Sequence, residues 1–184
     1  NINYLSIGAH KFYGPKGIGI LYCKAGNSVK PLISGGGQEN GLRAGTENVS
    51  FIAGMSLALE IANNNYSQNK NHILELEDYF FKSLDKTKIN YRLNGAERLP
   101  GILNITFFDI KGHNLLMNLD MMDIAISYGS ACSSGSSSAP LALLESGMNH
   151  NEAASSVRIS IGKMITKKNI DKLIFCLNKI INKL

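Results

Sequence analysis

Two segments carry side chains able to bond covalently to a substrate. Ala9-His10-Lys11-Phe12-Tyr13-Gly14-Pro15-Lys16-Gly17 holds an amine, and Gly129-Ser130-Ala131-Cys132-Ser133-Ser134-Gly135 holds a thiol. A lysine whose surroundings lower its pKa becomes a nucleophile capable of imine chemistry, and cysteine is the most nucleophilic side chain at neutral pH. Lys11 falls between a strand-like run, Tyr4 to Gly8, and the turn Gly14-Pro15-Lys16-Gly17, so its amine is predicted at a strand end on a rigid backbone. Cys132 lies in a Gly/Ser run without apolar periodicity, which predicts an exposed loop and an accessible thiol. A solvated surface lysine and an inert loop cysteine are the bland alternatives. Lys16 is no phosphate-binding lysine, because Gly-Pro-Lys-Gly lacks the spacing and the Ser/Thr of a Walker loop. Cys23 and Cys176 fall in strand and helix patterns and read as structural.

The elements that must position these groups alternate between strand and helix. Gly17 to Cys23 predicts a buried strand. Lys30 to Asn48, with Gly35-Gly36-Gly37, Gly41 and Gly45, predicts a long loop of the kind usually kept for function. Thr46 is a candidate N-cap for a helix with Val49, Ile52, Ala53, Ser56 and Leu57 facing inward, and Asn63-Asn64-Asn65 reads as a linker. A second helix is expected from about Ser67 to Leu84, with Ile73, Leu76, Phe80 and Leu84 on one face. Leu103, Ile105 and Phe107 alternate with Asn104 and Thr106 in a half-buried strand. A helix over His113 to Met121 and a short strand at Ile124 to Ser127 follow. The last helix carries Ile170, Leu173, Ile174, Leu177, Ile180, Ile181 and Leu184 as one stripe, capped by Thr166. Val157, Ile159 and Ile161 alternate toward a core, which turns Arg158 and Ser160 the other way, as an anion clamp requires. An exposed strand arginine without a ligand is the alternative there.

Composition bounds the possibilities. The chain has 184 residues, 44% hydrophobic and 18% charged, which is globular rather than disordered. The net charge of +5 is mild and no basic run is interleaved with aromatics, so no nucleic-acid partner is expected. The three cysteines are widely spaced and lack a CxxC pair, signalling neither a disulfide framework nor a zinc site. A reducing cytoplasm fits that usage. No membrane-spanning run is present, and the start Asn1-Ile2-Asn3-Tyr4 lacks the pattern of a signal peptide.

Taken together, four signatures resemble the cysteine desulfurases, pyridoxal 5'-phosphate (PLP) enzymes related to the class V aminotransferases. They are Ala9-His10-Lys11 with Gly14-Pro15-Lys16-Gly17; Gly35-Gly36-Gly37-Gln38-Glu39 leading into Gly41-Leu42-Arg43-Ala44-Gly45-Thr46-Glu47-Asn48; Gly129-Ser130-Ala131-Cys132-Ser133-Ser134-Gly135; and Val157-Arg158-Ile159-Ser160-Ile161-Gly162. The resemblance implies an α/β fold, a fragment of a fold-type I PLP enzyme. Residues 1–65 would be the end of the large, mostly parallel-sheet PLP domain, and 66–184 a smaller α+β C-terminal domain with the cysteine loop. It implies that Lys11 holds PLP and later moves the proton on the substrate's α-carbon, that His10 sits near the cofactor phosphate, and that Thr46 reaches the phosphate in the neighbouring subunit of a homodimer. It further implies that Cys132 attacks the sulfur of L-cysteine, releasing alanine and keeping a persulfide, and that Arg158 clamps the substrate carboxylate. The sulfur would pass to an acceptor such as an iron-sulfur scaffold or a tRNA thiolation protein.

There are departures from the family pattern. Gly8 stands where the family usually has a phosphate-contacting serine, and Asn40 and Lys163 replace common arginines. Family members are about twice this long. The half expected before Asn1 would carry the aspartate of the pyridinium nitrogen, the stacking histidine and most of the phosphate loop, so the 184-residue chain by itself is expected not to turn over cysteine. A selenocysteine lyase or another class V aminotransferase is the near alternative. The thiol loop argues against both, since transamination needs no thiol there. A non-catalytic sulfur-relay or scaffold module is the alternative from another class.

Overall fold

The structure is a computed structural model that describes residues 1–129 and 139–182. Cys132 and Leu184 lie outside the described residues. The chain divides into two compact units, Asn1–Ser67 and Gln68–Leu184.

In the first unit, β1 (Tyr4–Gly8) and β2 (Gly19–Cys23) form an antiparallel pair, with Ile7 opposite Ile20 and Gly8 opposite Gly19. Gly19 permits this approach, because a Cβ there would meet the Ile7 carbonyl oxygen at 2.6 Å. All strand pairs among the described residues are antiparallel, so the parallel sheet expected of the large domain is not formed by these strands. Nor is β2 the buried strand expected from its run of apolar residues: Leu21 and Tyr22 are exposed. A 3₁₀ turn, Ala9–Phe12, follows β1 directly. Residues 24–48 are irregular apart from a second 3₁₀ turn at Gln38–Gly41, matching the expected long loop.

Helix α1 spans Val49–Asn64. Its cap is Asn48 rather than Thr46: the Asn48 carboxamide oxygen accepts from the Phe51 amide at 3.2 Å. The cap has to lie next to the first helical residue, and Thr46 lies two residues too early. Val49, Ile52 and Leu57, expected inward, are exposed in this chain, and Met55 is the buried side chain of the helix. At Asn65 the helix ends, the Asn65 amide and side-chain nitrogen both donating to the Ile61 carbonyl.

The second unit has a conventional core. Helix α2 (Tyr66–Leu84) buries Leu76, Phe80 and Leu84. Strands β3 (Tyr91–Asn94), β4 (Ile102–Phe107) and β5 (Ser156–Ser160) form an antiparallel sheet in the order β3-β4-β5. Side chains alternate across each strand. Leu103, Ile105, Phe107, Val157 and Ile159 thus join α2, α3 (Gly112–Asp120) and α6 (Lys167–Ile181) in one apolar cluster. Helix α6 begins in a capping box, with the Thr166 hydroxyl accepting from the Asn169 amide and the Asn169 side chain accepting from the Thr166 amide. Buried Glu77 of α2 accepts from Arg98 at 2.9 Å and from the Gly101 amide, fastening the turn before β4.

The opposite face of the sheet is polar. Asn94 donates to Asn104 (2.7 Å) and Thr106 (2.9 Å), and the hydroxyls of Thr106 and Ser156 lie 2.7 Å apart. Two short helices, α4 (Leu141–Glu145) and α5 (His150–Ala154), precede β5. Arg92 grips Glu152 of α5 in a bidentate pair, at 3.0 and 2.8 Å. The guanidinium's hydrogen bonds hold the Glu152 carboxyl below its ordinary pKa of 4.5. The pair's contribution to stability is therefore complete above about pH 4.5 and disappears as pH falls through the lower folded value. Glu152→Gln is expected to lower the urea midpoint slightly near neutrality, with the difference shrinking as pH falls below 4.5 and the carboxyl takes up its proton, compared by chemical denaturation of the two proteins. A deficit that persists in acid would place the role of Glu152 outside the ion pair.

Candidate functional site

Lys11 sits inside the 3₁₀ turn that closes β1. The turn is fixed through its backbone: the Ala9 amide donates to the Ile18 carbonyl at 3.1 Å, and the Gly14 amide to the Ala9 carbonyl at 2.9 Å. Ala9 is fully buried, and a Cβ on Gly14 would meet the Ala9 Cβ at 3.0 Å, so the chain returns tightly over Ala9. Helix α1 backs this turn, its Gly54 so close to Pro15 that a Cβ would lie 3.0 Å from the proline Cγ. The Lys11 side chain is exposed, and no ion pair or side-chain hydrogen bond among the described residues engages its amine. A lysine that is to hold an aldehyde cofactor needs a fixed Cα and an amine without a competing carboxylate. Lys11 meets both requirements, so the residues present fit PLP.

His10 is also exposed, and its ring lies over Gly8. A Cβ at Gly8 would meet His10 Cε1 at 3.0 Å and Nδ1 at 3.2 Å, so the absent side chain leaves the room the imidazole takes. Thr46 is exposed in the segment between Gly45 and Asn48. The loop before it is braced from within, because the Gln38 carboxamide oxygen accepts from the Gly45 amide at 3.3 Å and Arg43 donates to the Ala44 carbonyl at 2.9 Å.

In the second unit, Arg158 stands on β5 with its side chain exposed on the polar face, while Val157 and Ile159 point into the core as their alternation predicts. A single bridge joins it to Ser127, in place of the short strand expected over 124–127. The Arg158 amide donates to the Ser127 carbonyl (2.8 Å), and the Ser127 amide to the Arg158 carbonyl (3.0 Å). The Arg158 guanidinium also donates to the Ser127 hydroxyl at 3.1 Å. Sequence reasoning missed Ser127. Its signal was the alternation of Ile124 and Ile126, both packed against the core, which turns Ser127 outward. Just beyond, Tyr128 packs on Gly112, where a Cβ would meet its ring at 2.8 Å, and lies edge-on to His113. Partial burial raises the Tyr128 pKa. Cys132 follows outside the described residues. Lys11, His10 and Thr46 thus belong to the first unit and Arg158 to the second.

Residues 1–173 match the family model of the class-V aminotransferases. The chain belongs to that family. Class-V aminotransferases are PLP-dependent, which agrees with a free, backbone-fixed lysine. Cysteine desulfurase IscS of Dictyoglomus turgidum is 40% identical over 185 residues, covering 100% of this chain and 47% of that protein. Cysteine desulfurase IscS of Clostridium botulinum (strain Hall) is 42% identical, covering 98% of this chain and 47% of its own length. A solved NifS-like protein superimposes with a TM-score of 0.87 at 32% identity, covering 100% of this chain and 47% of that one. The chain therefore spans about half the length of the curated relatives it matches. This class-V chain shares the mixed α/β fold of NifS-like PLP enzymes. No helix among its described residues is long and apolar enough to cross a membrane.

Proposed function

We propose that the full-length protein carrying this chain is a cytoplasmic, homodimeric, PLP-dependent cysteine desulfurase, which converts L-cysteine to L-alanine and keeps the sulfur as a persulfide on Cys132. The observation that carries this reading is 40% identity to a named cysteine desulfurase across the whole chain, a span that includes Lys11, Cys132 and Arg158. Bound PLP supplies an electron sink for the substrate's α-carbon. Lys11 would hold the cofactor covalently, and once released would move the proton at that carbon. His10 and Thr46 would contact the cofactor phosphate, Thr46 across the dimer. Arg158 would bind the substrate carboxylate and so orient its sulfur. The Cys132 thiolate would attack that sulfur: an S–S bond forms, the Cβ–S bond breaks, and the electron pair left on the substrate takes up a proton at Cβ to give alanine. An acceptor protein, such as an iron-sulfur scaffold or a tRNA thiolation protein, would then take the persulfide sulfur.

The full-length protein supplied with PLP and L-cysteine is expected to release alanine in step with transferred sulfur. Arg158→Ala should lower kcat/KM about 10- to 150-fold, the loss of a charge-assisted hydrogen bond. Conversion of L-cysteine to mercaptopyruvate, its amino group passing to a supplied 2-keto acid and its C–S bond left intact, would instead identify an ordinary aminotransferase.

A further inference from the structure

We propose that Ser127 is a positioning residue that holds the Arg158 guanidinium without neutralising it. The second unit contains three arginines, and two of them are engaged by acids: Arg92 by Glu152 and Arg98 by Glu77. Arg158 is held differently. Its guanidinium donates to a neutral hydroxyl, and the residue opposite it on β4 is Asn104, itself neutral and already accepting from Asn94. A carboxylate at either place would compete with an anionic ligand, whereas a hydroxyl accepts one N–H and leaves the full charge and the remaining donors of the fork available.

The arrangement is rigid at its base. Both backbone hydrogen bonds of the bridge form, and residues directly opposite across such a bridge present their side chains to the same face. Ile124 and Ile126 pack on the core, so Ser127 is fixed from the side opposite the guanidinium. Arginine has many rotamers, and restricting them before a ligand arrives removes part of the ordering cost of binding.

The inference rests on the reading of Arg158 as the carboxylate clamp, and steady-state kinetics of the full-length protein with L-cysteine separate the two. Ser127→Ala is expected to raise KM about 3- to 10-fold, the range of one lost neutral hydrogen bond, with a much smaller change in kcat. Ser127→Thr, which keeps the hydroxyl, should restore KM. Ser127→Asp should raise KM further, toward the value of Arg158→Ala, because its carboxylate occupies the guanidinium. If Arg158→Ala raises KM and Ser127→Ala does not, the assignment of Ser127 is overturned while that of Arg158 stands. An Arg158→Ala protein with unaltered KM overturns both. Equal losses of kcat in the Ala and Thr variants would mark damage to the fold and also overturn the inference.

Discussion

Replacing Cys132 by serine in the full-length protein is expected to abolish sulfur transfer while leaving cofactor capture by Lys11 intact. A free thiol titrates near pH 8.5, so about a few per cent is thiolate at pH 7 even without help from neighbours. A serine hydroxyl has far too high a pKa to attack sulfur in its place. The other two cysteines are poor substitutes on structural grounds. Cys176 is buried in α6 at 4% exposure, and Cys23 sits in β2 with its thiol directed at the Lys24 carbonyl. Cys23→Ser and Cys176→Ser are therefore expected to be nearly silent. Mass spectrometry after a pulse of L-cysteine measures this: one added sulfur, mapped to Cys132 and absent from Cys132→Ser. A persulfide on Cys23 or Cys176, or undiminished transfer by Cys132→Ser, would refute the mechanism.

Lys11→Ala should have an equally complete effect on the cofactor. Borohydride reduction of the PLP-loaded protein, followed by peptide mapping, is expected to place the cofactor on Lys11 in the parent and nowhere in the variant. The rival amine is Lys16, which is exposed just past Pro15. Lys11, by contrast, lies inside the turn whose backbone is tied through Ala9 to Ile18, the residue before β2. An adduct mapped to Lys16 would move the site to the other side of the turn and remove the basis for assigning Lys11.

Some of this arrangement was legible in the residues themselves, for identifiable reasons. The outward direction of Arg158 followed from Val157, Ile159 and Ile161, because these apolar residues face the core and the strand period of two turns Arg158 and Ser160 the other way. The start of α6 was legible because Thr166 is a strong cap next to an unbroken apolar stripe. Helix α1 was harder to read. Val49, Phe51, Ile52, Leu57, Leu59 and Ile61 surround it, so periodicity singles out no unique face, and the one chosen is exposed in this chain. Thr46 and Asn48 are both residues that cap helices, and only the backbone shows that Asn48 adjoins the first turn. Arg92 and Glu152 are sixty residues apart and meet only after the sheet has formed. Ser127 is intermediate: the alternation of Ile124 and Ile126 turns it outward, but its pairing with Arg158 comes from a tertiary bridge.

The uneven burial of the two units has a consequence for local opening. In the first unit only Ala9, Ala44 and Met55 are buried apolar side chains among the described residues, whereas β4, β5 and α6 share a continuous core in the second. The free energy needed to open a segment rises with the apolar contacts it must break. In this chain the amides of β4, the central strand, are accordingly expected to be among the last to exchange with solvent, and those of the exposed strand β1 among the first. Arg158 is thus laid against the strand expected to open last, with its other edge closed by the Ser127 bridge.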